Sequence, residues 1–166
     1  MVLDVHRFSG SERVIDVGSG GGIPGIPLKL AAPGITLTLV ESDRKKAAFL
    51  RDVAAELGLE SVTVEARRAE ELGRDTTHRQ RHDVALTRAI AQAPVAAEYC
   101  LPLVRVGGVL LALAREGDWR AAAGALNRLG GQLRAVAQGV VMVDKVRSTP
   151  EQFPRRVGVP RKRPLS

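Results

Sequence analysis

The sequence predicts an α/β fold, a mostly parallel doubly wound sheet with an antiparallel edge, and three observations predict it. Short β-branched apolar runs alternate with longer helical segments, the order expected of strands covered on both faces. Four glycines within five positions, Gly18 to Gly22, follow directly on the first run. Two extended runs near the carboxyl end are separated by a single glycine, Gly139, and strands that close must pair antiparallel.

The strand candidates are Arg13 to Val17, Thr36 to Val40, Ser61 to Glu65, Asp83 to Thr87 and Gly108 to Ala114, each short and largely apolar. Helices are expected between them. Pro24 to Leu30 follows the glycines, Arg44 to Leu57 is amphipathic and ended by Gly58, and Pro94 to Leu101 stops at Pro102. After Asp118 a helix is expected to about Leu129, ahead of Gly130 and Gly131. The edge runs are then Gln132 to Gln138 and Val140 to Val146. The stretch "GRDTTHRQRH" (73 to 82) reads as a polar loop, and the three histidines, His6, His78 and His82, are expected at the solvated surface.

With 166 residues, 45% of them hydrophobic, the chain has material for one core. Residues 1–146 read as one domain and 147–166 as a basic Pro/Arg-rich tail. The longest apolar run, Val106 to Ala114, is too short for a bilayer, so a soluble, cytoplasmic protein without membrane contact is expected. A single cysteine, Cys100, excludes an internal disulfide and a multi-thiolate zinc cluster; it is expected in the core, and no metal is expected. Lys and Arg number 25 against 18 Asp and Glu, a net charge of +7 that suggests a polyanion partner. Six of these cations, Arg147, Arg155, Arg156, Arg161, Lys162 and Arg163, fall in the last twenty positions beside one acid, Glu151. These six are the candidate RNA contacts, because the prolines among them are expected to keep the tail from folding back on the core as a helix.

The glycine turn discriminates among cofactors by its spacing. A phosphate loop needs Gly-Lys-Ser/Thr, but Ile26 follows Gly25; a dinucleotide G-x-G-x-x-G starting at Gly18 needs glycine where Ile23 stands. What remains is Asp16-x-Gly18-x-Gly20-x-Gly22, an acid at a strand end followed by alternate glycines. This resembles the AdoMet-dependent methyltransferase motif, in which backbone lines the cofactor and a Cβ would occupy its space. The second strand ends in "LVESD", so Glu41 stands at the carboxyl edge, where a carboxylate accepts hydrogen bonds from ribose hydroxyls; Asp43 also suits a helix cap. After the third strand, Ala69 and Glu70 are placed to meet an adenine. After the fourth, Arg88 follows an apolar strand, where a cation is costly unless it pairs with an anion.

Taken together, "VIDVGSGGGIPGIPL", "LVESDRKKAAFLRDVAAELGL", "RRAEEL", "DVALTRAIA" and "DKVRSTPEQFPRRVGVPRKRPL" are similar to the bacterial 16S ribosomal RNA guanine-N7 methyltransferase family, also called glucose-inhibited division protein B. The resemblance implies a Rossmann-like class I AdoMet-dependent methyltransferase fold. It implies S-adenosyl-L-methionine (AdoMet) contacts at Gly18 and Ile23, across Glu41, Ser42 and Asp43, at Ala69 and Glu70, and at Arg88. The partner implied is 16S ribosomal RNA or the small ribosomal subunit, with the chain a monomer. The family's helical segment ahead of the first strand is represented only by "MVLDVHRF", so a fragment or shortened form is expected. Its lysine after the fifth strand is replaced by Ala114, so that basic contact is expected to be lost or to pass to Arg115. Guanine N7 has an in-plane lone pair and no proton, so no catalytic base is expected and Arg88 serves in positioning. The Asn/Asp-Pro-Pro-aromatic motif of exocyclic-amine enzymes and the Pro-Cys of cytosine-C5 enzymes are absent. The alternatives are a non-enzymatic RNA-binding protein on this fold and an AdoMet-dependent methyltransferase with another substrate.

Overall fold

A computed structural model of the chain describes residues 2–114 and 116–166. A one-turn helix α1 (Val2–Val5) leads into β1 (Arg13–Val17), α2 (Gly25–Ala31), β2 (Thr36–Val40), α3 (Arg44–Glu56), β3 (Val62–Glu65), α4 (Ala69–Leu72), β4 (His82–Arg88) and α5 (Ala93–Cys100). Then come β5 (Val104–Leu113), α6 (Glu116–Ala121), α7 (Ala123–Arg128), β6 (Gly131–Ala137), β7 (Val140–Lys145) and a short α8 (Val159–Lys162). The seven strands form one sheet in the order β3-β2-β1-β4-β5-β7-β6. Pairing is parallel through β5, and β7 runs antiparallel to both β5 and β6. The expected α/β doubly wound sheet with an antiparallel edge is the observed one.

Strand periodicity divides the core into two layers. Val14, Leu37, Leu39, Val84, Leu86, Val109 and Leu111 face α2 and α3, where Ile26, Leu28 and Leu50 meet them. Ile15, Val17, Val40, Ala85, Leu110 and Ala112 face α5 and α7, packing on Ala96, Cys100, Ala125 and Leu126. Cys100 is wholly buried, and burial pushes its thiol well above the usual range. Asp43 starts α3 by accepting from the Lys45 and Lys46 amides at 2.8 and 3.1 Å, and Gly58 follows the helix at φ +60°. Truncating Leu50, fully buried beneath this helix, removes contacts worth about 2–5 kcal/mol.

Four local expectations need correction. β5 begins at Val104 rather than Gly108: its register against β4 jumps from His82↔Val104 to Val84↔Val109, so a bulge with Gly107 at φ +84° interrupts the strand without ending it. The single helix expected after Asp118 is two, broken at Ala122, whose side chain is buried. His82 belongs to β4 and is 2% exposed, its ring stacked on His78 with centroids 5.8 Å apart; His78 in turn lies 3.5 Å from Glu65 and is largely covered. These two histidines are therefore not solvated surface.

The fourth correction is the carboxyl end. Residues 147–166 pack on the sheet domain, burying Thr149, Phe153, Pro160 and Leu165. Arg79 gathers this segment by donating to the carbonyls of Thr149, Pro150 and Phe153, and also to that of Gly73, at 2.7–3.2 Å. Lys145, 1% exposed, donates to the Leu101 carbonyl and to Thr149 Oγ1, and burial beside Arg79 pushes its ammonium down to about 7. Local proline chemistry forbids a long helix here, but long-range hydrogen bonds fold the segment back without one.

Candidate active site

The strand order reverses between β1 and β4, and turns at the carboxyl ends of such strands diverge to open a cleft. A cavity of about 250 Å³ lies there. Gly18 and Gly20 follow β1; Glu41 and Ser42 follow β2, with Lys46 from α3 beside them; Arg67, Arg68, Ala69 and Glu70 follow β3; Arg88 ends β4, and Ala89 and Ile90 follow it. Tyr99 of α5 and Arg161 of α8 complete the wall.

The glycine loop is held against β2. The amides of Gly18 and Ser19 both donate to the Val40 carbonyl, at 2.9 and 3.0 Å, and Ser19 Oγ donates to the Asp16 carbonyl at 2.8 Å. Gly20 adopts φ +55°, and a Cβ there would meet nothing nearer than the Gly18 carbonyl at 3.9 Å, so its bare side faces open space. Glu41 is bonded to the same loop. One of its oxygens accepts from the Gly20 amide at 3.1 Å and the other from the Asp43 amide at 2.8 Å. A carboxylate offers about four acceptor positions, so roughly two remain for hydroxyls in the cleft. The first-turn amides of Ala69 and Glu70 have no acceptor within α4, because a helix leaves its first N–H groups unpaired. A backbone loop without side chains, an acidic acceptor and free amides suit an adenosine-type ligand such as AdoMet.

Of the sequence-assigned cofactor residues, Gly18, Gly20, Glu41, Ser42, Ala69, Glu70 and Arg88 are brought to the cleft. Four others are not. Asp16 shares the strand face of Val14, toward α2, where it is 1% exposed and accepts from the Gly25 amide at 3.0 Å. Burial pushes its carboxyl up to about 7, against the Gly25 hydrogen bond and nearby Arg88; its Oδ1 has no partner. Gly22 packs on Ile26 and Leu50, leaving no room for a Cβ. Ile23 is solvent-exposed outside the cleft, and Asp43 caps α3. Asp16, Gly22 and Asp43 shape the loop and the helices beside it instead of lining the cavity.

Two of the side chains that sequence reasoning did not assign to the cleft connect it to its surroundings. Tyr99 is buried between Glu70 and Arg161, and burial, reinforced by the Glu70 charge, raises its phenol above the ordinary value. Arg161, assigned to RNA, donates to the Ile90 carbonyl at 3.0 Å. Glu70 Oε1 accepts from the Gly158 amide at 3.0 Å, so its carboxylate is engaged with the carboxyl-terminal segment.

The other tail cations divide. Arg155 is committed to Glu98, and Arg147 donates to the Asn127 carbonyl at 2.8 Å, at the end of α7. Arg156, Lys162 and Arg163 are exposed and carry no side-chain hydrogen bond or ion pair among the described residues. Ala114 donates its amide to the Gly139 carbonyl, while Arg115 lies outside the described residues. Among the described residues no cluster of three or more His, Cys, Asp or Glu could hold a metal ion, and no helix is long and apolar enough to cross a membrane.

Comparison with known proteins bears on this cleft. A mutant of MtNAS in complex with S-adenosylmethionine superposes with a TM-score of 0.65 at 19% identity, covering 88% of this chain and 59% of that one. The YcgJ protein of Bacillus subtilis gives 0.57 at 20%, covering 77% and 56%. Both likenesses concern the fold. The ribosomal RNA small subunit methyltransferase G of Rubrobacter xylanophilus is 46% identical over 169 residues, covering 92% of this chain and 65% of its own length. That of Roseiflexus castenholzii is 46% identical over 166 residues, covering 93% and 71%. The chain thus spans about two thirds of the length of these relatives. Residues 2–139 match the GidB family, described as rRNA small subunit methyltransferase G. On this match, these identities and its class I AdoMet-dependent methyltransferase fold, the chain belongs to that family.

Proposed function

We propose that this chain transfers a methyl group from AdoMet to N7 of a guanine in 16S ribosomal RNA, as a monomer in the cytoplasm. The observation that carries the reading is one cleft lined both by Gly20, whose Cβ side meets open space, and by the Glu41 carboxylate bonded to its amide, in a member of this family. Bound AdoMet supplies an electrophilic methyl group on a sulfonium. The chain's part is to bind and orient. The glycine backbone admits the ligand closely, Glu41 accepts from its hydroxyls, and the Ala69 and Glu70 amides are available to an adenine edge.

The acceptor needs no base from the protein, because N7 has a lone pair and no proton. Asp16 is turned away beneath the loop, and the carboxylates that line the cleft, Glu41 and Glu70, already accept from the Gly20, Asp43 and Gly158 amides. Arg88, exposed at the end of β4, is suited to hold an anion, the cofactor carboxylate or an RNA phosphate, at a distance from the ring that becomes positively charged. The test replaces the target guanosine with 7-deazaguanosine, which keeps the pairing edge and removes the nucleophile. Transfer from labelled AdoMet is expected to stop while RNA binding persists. Continued transfer to that nucleotide would assign the reaction to another atom.

A further inference from the structure

The carboxyl-terminal segment is fastened to the domain at three successive points, the last two on residues that line the cleft. Glu98 of α5 is fully buried, and a carboxylate there is costly unless its oxygens are paired. Arg155 pairs both of them, through its backbone amide at 2.8 Å and its guanidinium at 2.6–3.1 Å. Three residues on, the Gly158 amide donates to the buried carboxylate of Glu70, and Gly158 at φ +79° turns the chain into α8. Arg161 then reaches the Ile90 carbonyl at 3.0 Å. Ile90 belongs to the turn after β4 and rests directly on the glycine loop: a Cβ on Gly18 would lie 2.6 Å from its Cδ1.

From this chain of contacts we propose that the carboxyl-terminal segment closes one side of the AdoMet pocket through Arg161, a positioning residue that holds Ile90 and its turn over Gly18. The proposal rests on the reading of the cleft as the AdoMet site. Without the Arg161 donor, the β4–α5 turn loses its hydrogen bond to the segment, and the cleft side of Gly18 loses a fixed boundary. Arg161 therefore acts on the cofactor through Ile90, and its loss is felt in AdoMet affinity ahead of the chemical step. A lysine at 161 keeps a donor of similar reach; an alanine does not.

The test is calorimetry of AdoMet binding to the full chain, with steady-state methylation of 16S ribosomal RNA alongside. Arg161→Ala is expected to weaken AdoMet binding by about tenfold and raise its KM with kcat little changed, and Arg161→Lys to recover most of the affinity. Arg74→Ala, which removes an exposed cation away from the cleft, is expected to leave AdoMet affinity unaltered. A melting temperature close to wild type for Arg161→Ala assigns the loss to the pocket. Wild-type affinity and KM in Arg161→Ala would overturn the proposal, as would failure of lysine to restore binding or an equal loss in Arg74→Ala. Absence of AdoMet binding by the wild-type chain would overturn the proposed function itself, and this role with it.

Discussion

Glu41 does two things with one carboxylate, tying the glycine loop to the end of β2 through the Gly20 and Asp43 amides and keeping acceptor capacity toward the cleft. Its truncation removes both. Glu41→Ala is expected to weaken AdoMet binding by about 1–3 kcal/mol, measured by calorimetry, with Glu41→Gln intermediate because its amide oxygen still accepts from Gly20. Equal affinity in all three forms would move the hydroxyl contact elsewhere. That Gly18, Gly20, Glu41, Ala69 and Arg88 share one cleft is legible in the sequence because each ends or follows a strand, and parallel strands of a doubly wound sheet bring their carboxyl ends together. Asp16 misled because the motif marks an acid at a strand end without saying which face its pleat presents. Arg161 lies 71 residues from the carbonyl it holds, and no local spacing encodes that contact.

At the scale of elements, helix caps and strand periodicity carried most of the architecture, while the bulge in β5 and the start of β4 escaped. A Val-Gly-Gly sequence reads as a turn unless a partner strand continues beyond it, and "QRH" (80 to 82) reads as polar loop until His82 is known to be covered. The burial of His82 has a measurable consequence. Both ring nitrogens lack partners, and burial, aided by the Arg13 and His78 charges, pushes the imidazole down to about 4. Unfolding restores it to about 6.5, so between these values the unfolded chain binds the proton more readily. The contribution to stability is complete above about pH 6.5 and is lost as pH falls toward 4. Urea denaturation at pH 7.5, 6 and 5 is expected to show the wild type losing stability relative to His82→Leu as pH falls; parallel profiles would show that the ring carries no such cost.

For the whole molecule, a net charge of +7 poses the question of where a polyanion docks. The fold separates the sequence candidates into cations that already hold a partner within the chain and cations that do not. Arg155 is spent on Glu98, Arg147 on the end of α7, and Arg161 on Ile90. Arg156, Lys162 and Arg163 remain exposed on the segment whose Arg161 walls the cleft, and Lys46, Arg68 and Arg88 add positive charge around its mouth. A phosphate backbone laid across the carboxyl-terminal segment would thus run beside the proposed AdoMet pocket, which would couple docking to the chemistry by proximity. Each phosphate contacted releases counterions, so affinity falls with salt in proportion to the contacts made. Neutralising Arg156, Lys162 and Arg163 to glutamine is expected to lower RNA affinity and flatten the log-log salt slope by up to about 2 units, using roughly 0.7 per phosphate for single strands. AdoMet affinity is expected to stay at the wild-type value, because none of the three lines the cleft. Fluorescence anisotropy of labelled RNA across a salt series measures the slope, and an unchanged slope would shift the docking surface to the cations at the mouth of the cleft.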